Sequence, residues 1–314
     1  MQYPRILITG SDGLIGQALQ RKLANWPEAD VLATGLEASP RFRNGSGGYV
    51  PLDVTAHKAV ERLFLDFSPT AVVHLAAMSK VEACEQDKEA CWRANVDATA
   101  NLARLCKYHG ACLVFLSTDF LFDGTNGPYA EDDYPAPVNA YGRSKQAAEN
   151  AIRLSGLTQW TSVRTSLVFG TGDDLKRLNI ATLMVRELKR GVSFLAATDQ
   201  FRSPTYAPDL ADGLRRIIQF EKNGTYHIAG RERLNVFDLC TLAAPVFGFD
   251  PNLIKPTTTA ELHPDSPRPL DGGLLILRAE SELDFRPRPL AEAFADLGKR
   301  LGLPVVTSPN VGEN

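Results

Sequence analysis

Short apolar runs alternate with segments of helical periodicity through the first half of this 314-residue chain. The first run, Arg5–Thr9, holds a continuous I-L-I core, which is typical of a parallel strand buried on both faces. Similar runs predict five further strands, at 30–34, 49–52, 71–77, 112–117 and within 161–169.

The segments between these runs have the spacing of amphipathic helices. Ile15, Leu19 and Leu23 form one apolar stripe after the first strand, because residues four apart share a helix face. Apolar residues repeat at the same period within 60–67, and 96–107 is helical in composition. Strands that alternate with helices form right-handed βαβ units. The pattern therefore predicts an α/β fold with a doubly wound parallel Rossmann sheet.

The alternation weakens past about residue 170, and proline and charge become more frequent after residue 255. We therefore expect a dinucleotide-binding Rossmann domain at 1–170. A smaller α/β substrate lobe is expected mainly at 171–303, with some of its segments returning to the Rossmann core. The last residues, 304–314, are expected to form a mobile tail.

Composition excludes several function classes. Thirty-four basic and 37 acidic side chains give a net charge of −3, which does not favour binding to nucleic acid. No apolar run approaches the roughly 18 residues that cross a bilayer, and no secretory signal is recognisable. The five cysteines form no C-x-x-C pair and their number is odd, so a reducing cytosol is expected. The five histidines lack metal-ligand spacing, so we expect no metal site.

A glycine-rich turn, T-G-S-D-G-L-I-G at 9–16, joins the first strand to the first helix. Gly10 permits the tight turn, Gly13 lets the backbone approach a pyrophosphate, and Gly16 lets helix and strand pack closely. The helix N-terminus then presents free N–H groups to the anion. The residues expected to hold a dinucleotide here are Gly10, Asp12, Gly13, Leu14 and Ile15.

The end of the second strand bears on the choice between NADP and NAD. A carboxylate there would bond the ribose 2′-hydroxyl and repel a 2′-phosphate, whereas the chain reads T-G-L at 34–36. Glu37 is within reach, but Arg41 and Arg43 follow and can clamp a phosphate. The alternative is that both arginines decorate a solvated loop. NADP is therefore the favoured cofactor, with NAD as the alternative.

Asp53 and Val54 follow the third strand. A carboxylate at this position can hold the adenine edge of the cofactor. The equally weighted alternative is a turn residue or a helix cap near Thr55.

Tyr141 and Lys145 stand four residues apart in Y-G-R-S-K and so share one helix face. An ammonium beside a phenol lowers the phenol pKa toward the working pH. Thr118 leaves the fifth strand at its carboxyl end, where open α/β sheets place their ligands. The three side chains therefore predict general acid–base catalysis of carbonyl reduction.

These motifs together resemble the extended short-chain dehydrogenases/reductases. More narrowly, they resemble the dTDP-4-dehydrorhamnose reductase family and its relative, the regulatory β subunit of methionine adenosyltransferase. The carrying segments, which span nearly the whole chain, are T-G-S-D-G-L-I-G (9–16), H-L-A-A (74–77), N-V-D-A-T-A-N-L-A (95–103), F-L-S-T-D-F-L-F-D-G-T-N-G-P-Y (115–129), P-A-P-V-N-A-Y-G-R-S-K (135–145), R-T-S-L-V-F-G (164–170), F-R-S-P-T-Y-A-P-D-L-A (201–211) and S-P-R-P-L-D-G-G-L (266–274).

The resemblance implies that Thr118, Tyr141 and Lys145 are a catalytic triad. Tyr141 would then protonate a sugar keto oxygen while the nicotinamide delivers hydride, and Lys145 would also hold the nicotinamide ribose. Further cofactor contacts implied are Ala76, Ala77, Ser79 and Asn95. Substrate contacts implied are Asp119, Phe120, Leu167, Arg202 and Arg268. For Asn95 the alternative is a structural role, and for the polar 200–204 segment it is a surface loop.

Two positions depart from the reductase pattern, since Phe120 stands where the family usually has Tyr and Leu167 where it usually has Trp. We expect a cytoplasmic, NADP-preferring reductase of a 4-keto-deoxysugar nucleotide that supplies sugars for polysaccharides, and we also consider a homodimer. One alternative, which the two departures favour, is a non-catalytic NADP-binding regulatory subunit. Another is an epimerase or dehydratase of the same superfamily, although a dehydratase usually has Asp-Glu after the strand-five Thr.

Overall fold

The computed structural model describes residues 3–42 and 47–304, and its centre is a sheet of seven parallel strands. Those strands are β1 (Arg5–Thr9), β2 (Asp30–Gly35), β3 (Gly48–Pro51), β4 (Ala71–His74), β5 (Cys112–Leu116), β6 (Trp160–Arg164) and β11 (Gly224–His227). The short strands outside it are β7 (Val168–Phe169), β8 (Phe194–Ala197), β9 (Phe201–Arg202), β10 (Thr205–Tyr206), β12 (Leu234–Asn235) and β13 (Ile254–Thr257). The order across the sheet is β11-β6-β5-β4-β1-β2-β3.

Helices cover both faces of the sheet, which confirms the predicted doubly wound α/β fold. The described α-helices are α1 (Leu14–Leu23), α2 (His57–Phe67), α3 (Val81–Gln86), α4 (Lys88–Trp92), α5 (Ala98–His109), α6 (Ala140–Leu154), α7 (Ile180–Lys189), α8 (Ala207–Gln219), α9 (Val236–Val246), α10 (Thr259–Leu262), α11 (Leu277–Leu283) and α12 (Leu290–Arg300). α2, α5 and α6 bury their apolar stripes on one face, and α1, α8 and α11 pack on the other.

A second apolar core lies outside the central sheet. It is built from α7, α9 and α12 together with the parallel pair β8 and β13. Segments after residue 170 contribute to both cores, because α8 packs on α1 and β11 pairs with β6. No helix in the described ranges is long and apolar enough to cross a membrane.

Two predicted strands end earlier than their apolar runs. β4 stops at His74 because the chain then turns across the end of β1, where the Ala76 N–H donates to Thr9 Oγ1 at 3.3 Å. The run within 161–169 is divided, since β6 ends at Arg164 and β7 pairs with β10 instead. In both runs the apolar residues continue past the carboxyl edge of the sheet, where the candidate site lies.

Candidate active site

The loop between β1 and α1 offers backbone N–H groups to an anion. Gly13 precedes the first turn of α1, and no described side chain caps that helix. Gly10 has φ +69° and lies so close to the next segment that a Cβ would be 2.6 Å from the Ala76 nitrogen. The cradle formed by this close packing fits the pyrophosphate of a dinucleotide. It contains the predicted residues Gly10, Asp12, Gly13, Leu14 and Ile15.

We expect Gly10→Ala to weaken dinucleotide binding about tenfold or more, because strain and collision would displace the Ala76 backbone. Titration of protein fluorescence with NADPH measures the dissociation constant. Gly191→Ala is the matched control, since Gly191 has φ +71° but a Cβ there meets nothing within 4 Å. Equal NADPH affinity in the two variants would contradict the cradle.

Polar side chains converge at the carboxyl end of β2. The Asp12 carboxylate lies against Gly35, where a Cβ would collide with Asp12 Oδ2. Asp12 accepts hydrogen bonds from the Tyr49 hydroxyl at 3.0 Å and from the Arg41 N–H at 2.9 Å. The Arg41 guanidinium donates to Glu37 Oε1 at 2.7 Å. Arg41 and Glu37 thus meet where the adenosine ribose of a dinucleotide is read.

Three other predicted cofactor residues follow β2 and β3 in the chain. Arg43 lies outside the described residues. Asp53 is exposed and accepts hydrogen bonds from the Thr55 N–H at 2.9 Å and hydroxyl at 2.8 Å, which is the turn geometry considered as its alternative. Val54 is buried.

Asn95 holds the segment after β4 beside the glycine loop. Its buried amide accepts from the Met78 N–H at 2.8 Å and donates to Met78 O at 3.0 Å and Ser144 Oγ at 2.9 Å. The segment contains the predicted contacts Ala76, Ala77 and Ser79. Because its amide is used within the protein, Asn95 positions this segment by tying it to α6.

The three predicted catalytic side chains lie where β5 ends and α6 begins. Thr118 Oγ1 accepts from the Phe120 N–H at 3.2 Å, and its hydroxyl lies close enough to the Tyr141 phenol to act on the pKa of that phenol. Tyr141 is the second residue of α6. The buried Lys145 ammonium lies one turn further, 4.0 Å from the centroid of the Phe115 ring.

The electrostatics differ from the expectation that Lys145 lowers the pKa of Tyr141. Burial raises the pKa of the Tyr141 phenol, the Thr118 hydroxyl opposes that rise, and Lys145 is not among the largest influences. Burial lowers the pKa of Lys145 to about 7, against the attraction of Glu149. The physical reason is that both groups are removed from water, which disfavours phenolate and ammonium alike. Tyr141 is therefore a protonated phenol, the form that donates a proton.

Arg202 does not lie in a surface loop, which was the alternative for the 200–204 segment. It lies in β9 with 1% exposure, and its guanidinium donates to Phe201 O at 2.6 Å and Pro269 O at 2.7 Å. Arg202 Nε is 3.5 Å from Asp119 Oδ2, which also accepts from Ser166 Oγ at 2.7 Å. A buried carboxylate needs a counter-charge, so Arg202 turns inward to Asp119. Burial raises the pKa of Asp119, and Arg202 is the first of the groups that oppose it.

Phe120 lies beside Tyr141, and Arg268 lies near both the Phe120 ring and Glu82. The Phe120 and Tyr141 rings meet edge to face with centroids 5.9 Å apart, and the Arg268 guanidinium is 6.0 Å from the Phe120 centroid. Arg268 pairs with Glu82, while its buried Nε has no partner among the described residues. Leu167 has φ +38° and packs, partly buried, on the second core. Such left-handed backbone in a non-glycine residue clusters at functional sites.

The segment 172–177 also reaches this site, although its residues were not predicted to do so. Arg177 donates to Ser79 Oγ at 2.9 Å, and Lys176 pairs with Glu37. The available signal was an adjacent Lys-Arg pair in a loop after the sixth strand. That signal is ambiguous in a sequence, because charged pairs in loops are common.

His74 is buried at the end of β4. Its ring nitrogens lie 2.7 Å from Thr9 Oγ1 and 3.1 Å from Thr99 Oγ1. Burial lowers the pKa of His74 to about 3. Within 3–42 and 47–304, no group of three or more His, Cys, Asp or Glu side chains could hold a metal ion.

Comparison with solved structures relates this geometry to known proteins. The dTDP-4-dehydrorhamnose reductase of Bacillus anthracis str. Ames, solved in complex with NADP, superposes with a TM-score of 0.81 at 26% identity over 95% of this chain and 99% of that one. UDP-glucose 4-epimerase of Thermus thermophilus, solved with NAD, has a TM-score of 0.79 at 22% identity over 95% and 99% of the two chains, and so shares the fold.

Curated relatives fall into two groups. A probable dTDP-4,6-dihydroxy-2-methyloxan-3-one 4-ketoreductase of Streptomyces antibioticus is 36% identical over 84% of this chain and 84% of that protein. Methionine adenosyltransferase 2 subunit beta of Pongo abelii is 30% identical over 81% of this chain and 75% of that protein. The family described as RmlD substrate binding domain matches residues 4–302. The chain belongs to this family, as its resemblance to the dTDP-4-dehydrorhamnose reductases predicted.

Proposed function

We propose that this protein reduces the 4-keto group of a dTDP-linked deoxyhexose, with NADPH as the favoured hydride donor. The observation that carries the proposal is the meeting of Tyr141, Thr118 and the glycine cradle at one edge of a parallel sheet. Carbonyl reduction needs a proton donor, a group that orients the carbonyl, and a dinucleotide site beside them. The names of the Streptomyces and Bacillus relatives support the substrate class.

Side chains of the protein would donate the proton and orient the keto group. The cradle at Gly10 and Gly13 would hold a nicotinamide dinucleotide, which would supply the hydride for the keto carbon. The Tyr141 hydroxyl donates its proton to the keto oxygen, and the Thr118 hydroxyl orients that oxygen. Lys145 Nζ, whose pKa is about 7, holds a proton one helical turn from the phenol near neutral pH. Burial of both groups keeps bulk water away from the proton transfer.

The sugar side of the site supports a substrate with few hydroxyl groups. Phe120 and Leu167 offer no hydrogen bond where the family usually has Tyr and Trp. Asp119 is already held by Ser166 and Arg202, so its carboxylate has less capacity for sugar hydroxyls. A 4-keto sugar that lacks further oxygens suits this surface better than a fully hydroxylated hexose.

The test is NADPH consumption by the purified protein. The substrate is dTDP-4-keto-6-deoxy-L-mannose, generated in situ from dTDP-glucose by a dehydratase and an epimerase, with its 2-deoxy analogue measured in parallel. We expect oxidation of NADPH with at least one of them, and faster turnover of the 2-deoxy sugar. NADPH binding without oxidation of either mixture would contradict the proposed reductase.

A regulatory subunit is the second candidate, because relatives named methionine adenosyltransferase 2 subunit beta match most of the chain. Size-exclusion chromatography with a methionine adenosyltransferase catalytic subunit tests it. A stable complex together with absent turnover would favour this candidate over the reductase.

A further inference from the structure

The segment 172–177 crosses from the second lobe to the mouth of the nucleotide cradle. Its Asp173 backbone exchanges two hydrogen bonds with Gln17 of α1, each 2.7 Å long. Four residues later, Arg177 bonds Ser79 of the segment after β4. The crossing segment is therefore anchored on both sides of the end of β1, and the residues between the anchors contact the loop after β2.

Lys176 lies between these anchors and pairs with Glu37. The same Glu37 oxygen, Oε1, accepts from the Arg41 guanidinium at 2.7 Å. Arg41 is largely buried, with 12% of its side chain exposed, and it also donates to Asp174 O of the crossing segment at 3.1 Å. One carboxylate thus draws together two cations that come from different lobes of the molecule.

The position of the cluster formed by Glu37, Arg41 and Lys176 indicates which anion it can bind. Glu37 stands two residues past the end of β2, where the ribose of the adenosine half of a dinucleotide is read. A ribose 2′-phosphate offers the same acceptor oxygens as a carboxylate and carries more negative charge. Both cations are already aimed at that point, since Lys176 and Arg41 share one oxygen of Glu37.

We infer that Lys176 and Arg41 bind the 2′-phosphate of NADP(H), and that Glu37 is a built-in competitor which occupies the phosphate position until the cofactor displaces it. The inference rests on the proposed cofactor and names a ligand, Lys176, from outside the Rossmann segment of the chain. Two carboxylates, Asp12 and Glu37, lie near the proposed phosphate position. Their side chains differ in how freely they can rotate.

Asp12 is held by Tyr49 and by the Arg41 backbone, so it stays in place. Glu37 has 40% of its side chain exposed and is held by the two cations through the one oxygen. Rotation of Glu37 into solvent would therefore free both cations at low steric cost. The removable charge in this cluster is Glu37, and NADPH must break its two ion pairs before it binds.

The experiment compares NADPH and NADH dissociation constants, measured by calorimetry on the full chain. We expect Lys176→Met to weaken NADPH binding about tenfold and to leave NADH binding within about twofold, since only NADPH carries the phosphate. Glu37→Gln should strengthen NADPH binding about threefold or more, and this gain should shrink in the Lys176→Met background. Lys189→Met, at the far end of α7, is the control and should change neither constant.

Adenosine 2′,5′-bisphosphate and adenosine 5′-monophosphate serve as probes without nicotinamide. The same selective loss in Lys176→Met should appear for the bisphosphate alone. An equal loss for NADPH and NADH, or no loss for either, would overturn the inference while leaving the proposed reductase intact. Failure of the wild-type protein to bind either dinucleotide would overturn both.

Discussion

Tyr141→Phe is expected to lower ketosugar reduction by at least about 10²-fold, the usual scale of general acid–base catalysis. The variant keeps the ring that packs edge to face on Phe120 and removes only the hydroxyl, which lies near the Thr118 hydroxyl. Because burial raises the pKa of the wild-type phenol, the lost group is the proposed proton donor in its protonated form. Steady-state NADPH oxidation with the dTDP-linked ketosugar measures the effect.

NADPH affinity separates this catalytic loss from a structural one. We expect Tyr141→Phe to bind NADPH within about threefold of the wild type, because the cradle lies on β1 and α1. Tyr134→Phe is the matched control, since Tyr134 is 87% exposed and should not affect turnover. Turnover near that of the wild type in Tyr141→Phe would remove Tyr141 from the proposed role.

Arg164→Met is expected to lower the free energy of unfolding by about 3–5 kcal/mol, the cost of leaving one partner of a buried ion pair alone. Arg164, at the end of β6, donates to Glu149 of α6 through Nε at 3.1 Å and Nη2 at 2.9 Å. Both side chains are 1% exposed, and Arg164 Nη1 also donates to Glu131 O at 3.0 Å. The pair therefore joins the sheet to the helix that carries Tyr141 and Lys145.

Urea denaturation followed by circular dichroism measures the loss. Arg153→Met is the control, because Arg153 contacts the same Glu149 Oε2 at 3.1 Å but is 40% exposed, so its removal should cost about 1 kcal/mol or less. Replacing Glu149 and Arg164 together by Met should recover part of the loss in Arg164→Met. If the Arg164 and Arg153 variants unfolded at the same urea concentration, the buried pair would have no special role in stability.

The core of the Rossmann fold could be predicted because its signals are local. The continuous apolar core of β1 and the helical stripe of α1 each reflect a period that a single segment imposes on its own side chains. The glycine turn between them needs Gly10 at φ +69°, a requirement that the residue type itself reveals. The four-residue spacing of Tyr141 and Lys145 is likewise local to one helix face.

The tertiary contacts and the burial of the site residues could not be predicted in the same way. The sequence left open whether Arg202 contacts the substrate or lies in a surface loop. In the structure Arg202 is buried against Asp119, which lies 83 residues earlier in the chain by the numbering. Lys176 meets Glu37 across 139 positions. Burial of Tyr141 and Lys145 sets their pKa values more strongly than their spacing does.

Residue type and spacing in the sequence thus determine the strands, the helices, the phosphate loop and the identity of the reactive side chains, because neighbouring residues alone satisfy those patterns. Packing between distant segments decides which charges meet and which carboxylate is free to move. It also decides how far the pKa of a buried phenol is raised. That packing controls solvation, and solvation sets the energy of every buried charge. The charge cluster at Glu37 and the raised pKa of Tyr141 are therefore properties of the folded protein.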